Sequence, residues 1–438
     1  MVYVMLRYVD LFCGIGGLRL GLESGLRAVD AKSDCVLSCD IDKQARETYA
    51  LNFSEVPHGD IKAVDELPEH EILLAGFPCQ PFSYAGARRG FGDTRGTLFF
   101  EVERVARYRR PKVMILENVR GLVSHDAGRT LQTIIARLEN LGYGVIYRVL
   151  NSADFGVPQN RMRIYIIAVL GLSPKLSIES RERFVDSNRA KTHQLSLFGS
   201  TLPTVQAVLD SQVDETYYCS AEFQRELLAL SGGQLRRLAG HRFIDGRNGK
   251  SIHSWDVGLR GRCTAKEKEL LDLIVKNRRR KEFGTHQDGK ALSIQQIQTF
   301  FPSKDVERLV RGLVKKGYLR DDGEKFNLTA GNMSFEVYKI LDPDSISVTV
   351  VTSDAHKLGI VEGNRLRRMT PREVARLQGF PDSFVLHPSD QAAYRQLGNS
   401  VSVPVIGRLV ETLFLENREL ENFMYSANRP RRKATSTS

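Results

Sequence analysis

No apolar run in this 438-residue chain is longer than seven residues, the stretch Ile164-Tyr-Ile-Ile-Ala-Val-Leu170. A bilayer span takes about 20, so a transmembrane helix is excluded. The opening residues mix Arg7 and Asp10 into an apolar stretch without a cleavage site, so no secretory leader is read. The six cysteines, Cys13, Cys35, Cys39, Cys79, Cys219 and Cys263, form no C-x-x-C pair, and no histidines gather beside them. That argues against structural zinc and against a disulfide framework. No metal is expected, and the thiols are expected to stay reduced in a cytoplasm. There is no internal repeat, and no G-x-G-x-x-G of the kind a nicotinamide dehydrogenase carries. Acidic residues are the minority charge: 52 Asp and Glu face 63 Lys and Arg, a net +11.

What is present is an ordinary globular composition, 42% hydrophobic and 26% charged, which excludes wholesale disorder and a fibrous chain. The excess charge is concentrated. Residues 260–320 hold 16 Lys and Arg against 7 Asp and Glu. A solvated helical surface is the plain explanation, and a nucleic-acid footprint the functional one.

Short apolar runs alternate with amphipathic stretches through the first 170 residues. Strands are read at 8–12, 35–39, 71–75, 113–116, 144–150 and 163–170, and helices from about Leu18, at 43–52, 98–107 and 130–141. This alternation predicts an α/β fold with a mostly parallel, doubly wound sheet. Residues 173–200 read as a linker or surface excursion, and 201–260 as ambiguous. Beyond them, helices at 265–279, 293–300 and 305–316 precede a strand, turn and strand over 317–329. Three helices and a hairpin resemble a winged helix. The tail 429–438 reads as disordered.

Three segments could carry chemistry. Asp10-Leu-Phe-Cys-Gly-Ile-Gly-Gly17 is a Gly-rich turn between a first strand and helix, and Asp40 ends the next strand. A backbone a ligand can approach, with an acid for a ribose hydroxyl pair, suits an adenosine-containing cofactor. A purely structural turn fits equally. In Gly76-Phe-Pro-Cys-Gln-Pro-Phe-Ser83, Cys79 is held by Pro78 and Pro81 just past a strand, followed by a Gly- and Arg-rich segment. A nucleophile under a closing loop has this form, as does a buried structural cysteine. Glu117-Asn-Val119 ends another strand, and Gln159-Asn-Arg-Met-Arg163 sets Arg161 and Arg163 at the start of a further one. The plain reading of those cations is a solvated strand entry.

Taken in order, these blocks resemble the cytosine-C5 DNA methyltransferase family. The resemblance also rests on Gly59-Asp-Ile61, Arg95-Gly-Thr-Leu-Phe-Phe100, Arg368-Met-Thr-Pro-Arg-Glu-Val-Ala-Arg-Leu-Gln-Gly-Phe-Pro381 and Gln396-Leu-Gly-Asn-Ser-Val401. It covers 8–169 and 366–410, and leaves 170–365 where the family keeps a variable target-recognition region. It implies a Rossmann-like, S-adenosylmethionine-dependent catalytic domain at 1–185 and 390–438. A smaller target-recognition domain at 186–389 would carry the winged-helix-like insertion at 264–330.

The implied chemistry is methyl transfer to C5 of a cytosine flipped out of duplex DNA. Cys79 would add at C6, Glu117 would stabilise the charge built on the ring, and Arg161 and Arg163 would hold the base and a phosphate, with Arg163 at the base. The implied cofactor site is Phe12, Gly14, Gly16, Gly17, Asp40, Ile41, Asp60, Ile61, Pro78, Leu98, Asn399 and Val401. Asp40 would take the ribose hydroxyls and Asp60 the adenine amino group. The family commonly has Glu at Asp40 and an aromatic at Ile41, so here the acid has a shorter reach and the adenine leans more on Ile61.

Gln80, Ser83, Arg88, Arg89 and Arg95 are expected on DNA, in or beside a closing loop at 82–95, and Arg308 and Arg311 in the insertion. Arg88 and Arg89 read equally as an exposed charge pair. The expected partner is double-stranded DNA. A restriction endonuclease would be a functional counterpart without a stable complex, and the chain is expected to act as a monomer. A tRNA cytosine-C5 methyltransferase, a non-enzymatic DNA-binding regulator and a Rossmann oxidoreductase are the alternatives.

Overall fold

In chain order the apolar runs become β1 (Met5–Leu11), α1 (Gly17–Ala28), β2 (Lys32–Cys39), α2 (Lys43–Phe53), β3 (Ile72–Gly76), α3 (Leu98–Arg109), β4 (Val113–Val119), α4 (Arg129–Asn140), β5 (Tyr143–Asn151) and β6 (Met162–Leu170). A second series follows: α5 (Ala221–Leu230), β7 (Arg242–Phe243), β8 (Ser251–Ile252), α6 (Ala265–Asn277), α7 (Ile294–Gln298), α8 (Val306–Lys315), β9 (Leu319–Asp321), β10 (Phe326–Leu328), β11 (Lys339–Ile340), β12 (Leu358–Glu362) and β13 (Arg365–Arg368). The chain closes with α9 (Pro371–Leu377), α10 (Asp390–Asn399) and α11 (Val403–Glu416). These elements come from a computed structural model, which describes residues 5–77, 98–180, 203–284, 290–329 and 335–420. Most of the 173–200 linker and the whole 429–438 tail lie outside the described residues.

The chain divides into two compact units. The first comprises residues 1–208, 346–353 and 371–438, and the second 209–345 and 354–370. The expected boundary at 390 falls later than the observed return at 371. The reason is local pairing. Residue 347 exchanges backbone hydrogen bonds with Pro158 and Asn160, and the buried Gln378 side chain donates to the Leu397 carbonyl.

In the first unit one sheet runs in the order β2-β1-β3-β4-β6-β5. β1, β2, β3 and β4 are parallel, while β6 runs antiparallel to both β4 and β5. The switch follows from chain length. Only residues 152–161 join β5 to β6, too few for the helical crossover a parallel pair needs. Side chains alternate across the sheet. Tyr8, Leu74, Ile115 and Ile167 pack with α1 and α11, and Val9, Leu73, Met114 and Ile166 with α3 and α4. The result is a helix–sheet–helix sandwich with both sheet faces covered, as expected of near-continuous apolar strands.

The second unit has two cores. One gathers under a five-stranded sheet of order β13-β12-β11-β7-β8, where Phe243, Ile252, Ile340 and Leu366 are buried. The other joins α6, α7 and α8 to the β9–β10 hairpin through Leu270, Ile274, Ile297, Val310, Leu313 and Phe326. Leu292, between α6 and α7, bridges to Phe326. Helix, bridge, helix, helix and hairpin form the winged-helix-like module expected from the sequence. Capping boxes at Thr264/Glu267 and Ser293/Gln296 start α6 and α7 where the sequence predicts them.

Candidate active site

The parallel strands end on one edge of the first unit's sheet, where α/β sheets of this kind present ligands. After β1 the chain turns sharply through Phe12 (φ 56°) and Gly14 (φ 53°) before α1 begins. The Gly14 amide donates to Asp40 Oδ2 at 2.8 Å, while Asp40 Oδ1 accepts from the Asp42 amide at 2.8 Å. Burial raises the Asp40 pKa, and the two amides oppose the shift. Its position just past β2 is therefore fixed by the turn after β1. A Cβ at Gly14 would meet no atom within 4 Å, so the backbone there borders open space. Beside Asp40, Ile41 leaves 74% of its surface exposed. Hydroxyl acceptor, open glycine backbone and apolar side chain together fit a nucleoside group.

Asp60 caps the short 3-10 turn Ile61–Ala63, with Oδ1 accepting from the Lys62 amide, and Ile61 is buried beneath it. Gly16 and Gly17 are buried where α1 starts. Leu98 opens α3, half-buried. Asn399 and Val401 stand at the turn between α10 and α11. Asn399 is exposed, and its Oδ1 accepts from the Thr352 hydroxyl. Gly398 explains its own place in the Gly-Asn-Ser-Val run. A Cβ there would lie 2.4 Å from the Thr352 nitrogen, so only glycine lets the 346–353 segment pass.

Glu117 sits at the C-terminal end of β4, in register with Gly76 at the end of β3. Its Oε1 is 3.3 Å from Arg163 Nε on the neighbouring antiparallel strand, and both side chains are mostly buried. Burial raises the Glu117 pKa, against the pull of Arg161 and Arg163. Asn118 donates from Nδ2 to the Phe77 carbonyl at 2.8 Å. The chain is thus pinned to β4 as it enters Pro78-Cys79-Gln80. Pro78, Cys79, Gln80, Ser83, Arg88, Arg89 and Arg95 themselves lie outside the described residues.

The structure separates the two arginines that the sequence treats as a pair. Arg163 faces Glu117. Arg161 is buried, 2% exposed, and its guanidinium donates to the carbonyls of Val350, at 2.7 Å, and Ser400. Burial lowers its pKa to about 10, well short of losing its charge at neutral pH. Arg161 therefore braces the Asn399–Val401 turn.

A neighbouring buried network was missed. Gln159 donates to the Leu377 carbonyl at 2.8 Å and to Gln378 Oε1 at 3.2 Å, and accepts from the Val350 amide at 2.8 Å. Ser402 donates to Gln378 at 3.2 Å and shares a 2.6 Å hydrogen bond with Ser152. Glutamine between a strand turn and the strand it feeds was the available signal, but the partners are about 200 residues away in sequence.

The model of the C-5 cytosine-specific DNA methylases matches residues 6–415. Type II methyltransferase M.BanI of Aneurinibacillus aneurinilyticus is 56% identical, over 97% of this chain and 99% of its own length. Type II methyltransferase M.HgiCI of Herpetosiphon aurantiacus is 53% identical, over 94% and 98%. Among solved structures, the Dnmt2 methyltransferase of S. pombe shares the fold at TM-score 0.53 and 19% identity, covering 94% of this chain and 99% of its own. With the family model matching residues 6–415 and relatives at 53–56% identity spanning nearly the whole chain, the protein belongs to the C-5 cytosine-specific DNA methylase family and is a DNA (cytosine-5)-methyltransferase.

Proposed function

We propose that the chain is the modification enzyme of a Type II restriction–modification pair, methylating one cytosine in a specific duplex sequence through a covalent Cys79 adduct. The Type II names of relatives matching at 53–56% identity support the biological setting. The observation that carries the chemistry is the Glu117–Arg163 pair, in register with the strand that leads into Cys79. A restriction endonuclease is the functional counterpart, and the enzyme acts as a monomer in the cytoplasm.

The target base is out of reach inside a duplex, so it is flipped out at a cost of a few kcal/mol. Arg163 holds it beside Glu117. Gln80, Ser83, Arg88, Arg89 and Arg95 close on the DNA, and Arg308 and Arg311 take backbone phosphates. The Cys79 thiolate adds to C6, breaking the C5–C6 double bond, and the electron pair passes to the ring. Glu117, whose burial raises its pKa, shares a proton with N3 and offsets that charge as it forms. C5 is then nucleophilic enough to take a methyl group. Loss of the C5 proton to solvent restores the double bond and expels the thiolate, and the N3 proton returns to Glu117.

S-adenosylmethionine, when bound, supplies the methyl as an electrophilic sulfonium. Gly14 and its open backbone, Asp40 and Ile41 suit its nucleoside, with Phe12, Gly16, Gly17, Asp60, Ile61, Pro78, Leu98, Asn399 and Val401 around it. Arg161 acts as a positioning residue for the Asn399–Val401 side.

The test is product analysis. Duplex plasmid incubated with the enzyme and labelled S-adenosylmethionine should yield 5-methylcytosine confined to one motif by bisulfite sequencing, with none from Cys79→Ser. Label on adenine, on the cytosine amino group or on tRNA alone would refute the reading.

A further inference from the structure

The loop 244–250 of the second unit joins two parallel strands, β7 and β8, that return to the same direction after only seven residues. Its base is rigidly held. Asp245 accepts from the Ser254 amide and hydroxyl, each at 2.7 Å. Buried Arg278, at the end of α6, donates to the Gly246 carbonyl at 2.9 Å. Gly246 has φ 77°, a left-handed backbone that favours glycine, and a Cβ there would lie 2.6 Å from that guanidinium. The His253 ring lies 3.1 Å from the Arg247 carbonyl and stacks on Trp255 at 4.4 Å and 4°, and Trp255 belongs to the core of the winged-helix-like module.

What this base displays is exposed and cationic. Arg247, Asn248 and Lys250 all face solvent, as does Arg242 on β7. Arg242 stands directly opposite Lys339 of β11. Phe243 donates to the Tyr338 carbonyl and Ile340 to the His241 carbonyl, which makes Arg242–Lys339 a non-hydrogen-bonded antiparallel pair. That pair type brings side chains closest, and like charges there are destabilising. Burial and the opposing guanidinium push the half-buried Lys339 down to about 8.

Among the described residues, no side-chain hydrogen bond or ion pair engages Arg242, Arg247, Asn248, Lys250 or Lys339. The contrast with the module's own helix is direct. Arg308 is tied to Asp305 and Arg311 to Glu307. An anchored loop with a fork donor, an amide and three uncompensated cations is complementary to a polyanion carrying hydrogen-bonding edges.

We propose that loop 244–250 is a specificity element for duplex DNA, in which Arg247 and Asn248 read base edges while Arg242, Lys250 and Lys339 take the flanking phosphates. The proposal rests on the DNA methyltransferase reading. Arginine to guanine and asparagine to adenine are the pairings that base-edge geometry favours, and phosphate contacts add affinity without selectivity. The winged-helix-like module then has a second task, since Arg278 and Trp255 brace the loop from behind.

The experiment compares full-length enzymes on one plasmid by bisulfite sequencing, with affinity measured against salt. Arg247→Ala/Asn248→Ala should lose about 10- to 100-fold in kcat/KM at the wild-type motif and accept altered bases at one or two positions. Arg247→Lys keeps the charge but not the fork, and should relax the same position. Arg242→Ala/Lys339→Ala should keep the motif, bind every duplex more weakly, and lower the slope of log K against log salt by about 0.9 for each phosphate no longer neutralised. Unchanged kcat/KM and an unchanged motif in both Arg247 variants would overturn the proposal. Failure of the underlying reading is distinguishable, because the wild type would then leave no methyl on duplex DNA.

Discussion

Glu117 and Asp10 are both buried acids near the strand ends, and they lead to different expectations. Glu117 has a cation beside it, Arg163 Nε at 3.3 Å, and in the proposed reaction its role grows as charge builds on the base. Glu117→Gln should slow the chemical step by about 100-fold or more while weakening DNA binding far less. Single-turnover rates at saturating DNA check this, and an unchanged rate would reassign Glu117 to the scaffold. Asp10 is wholly buried on β1, and neither carboxylate oxygen has a hydrogen-bond partner among the described residues. Burial pushes it up to about 8, with Arg19 opposing and Asp40 adding to the shift. Its folded pKa is raised, so its stabilisation is complete below the unfolded value near 4 and is lost as pH rises through about 8. Asp10→Asn should therefore gain on the wild type in melting temperature as pH rises from about 5 to about 8. A difference that stays constant with pH would contradict this assignment.

At the scale of elements, the strands and helices were legible because their periods were clean. β4 and β6 read as apolar runs, and α8 as a stripe of Val306, Leu309, Val310 and Leu313. The site blocks were legible for a related reason: strand ends in a doubly wound sheet converge on one edge, so Gly14, Asp40 and Glu117 could be grouped from chain order. What the sequence did not reveal depends on contacts between distant segments. Arg161 looked like a twin of Arg163 until its carbonyl partners, Val350 and Ser400, were in place. The 346–353 segment and the Gln159–Gln378–Ser402 network bring together residues far apart in the chain, so a local stretch of sequence does not show their partners. Gly398 is the sharpest test of that packing. Gly398→Ala puts a Cβ within 2.4 Å of the Thr352 backbone. It should cost about 1–3 kcal/mol, read as a lowered melting temperature, and should weaken S-adenosylmethionine binding through the displaced Asn399. Wild-type values of both would show that the segment yields freely.

At the scale of the whole molecule, the charge distribution and the two units divide the work. The first unit holds the groups suited to the reaction. The second carries most of the excess positive charge, between 260 and 320, and its winged-helix-like module presents Arg308 and Arg311 on α8. Both are exposed and, among the described residues, paired only with acids on their own helix segment, ties worth roughly 0–1 kcal/mol that a phosphate can replace. Arg308→Ala/Arg311→Ala should weaken binding to all duplexes and reduce the salt slope by about 0.9 for each phosphate released, with turnover at saturating DNA retained. An unchanged slope would remove α8 from the interface.

The proposed reaction turns on Cys79 adding to the target base while Glu117 and Arg163 hold it. The most direct measurement is trapping on a duplex whose target cytosine carries fluorine at C5, where the missing proton blocks release of the enzyme. With S-adenosylmethionine present, a denaturation-resistant complex should form whose proteolysis yields the peptide containing Cys79 joined to the base, and none should form with Cys79→Ser. An adduct mapped to another residue, or one that persists in Cys79→Ser, would contradict it.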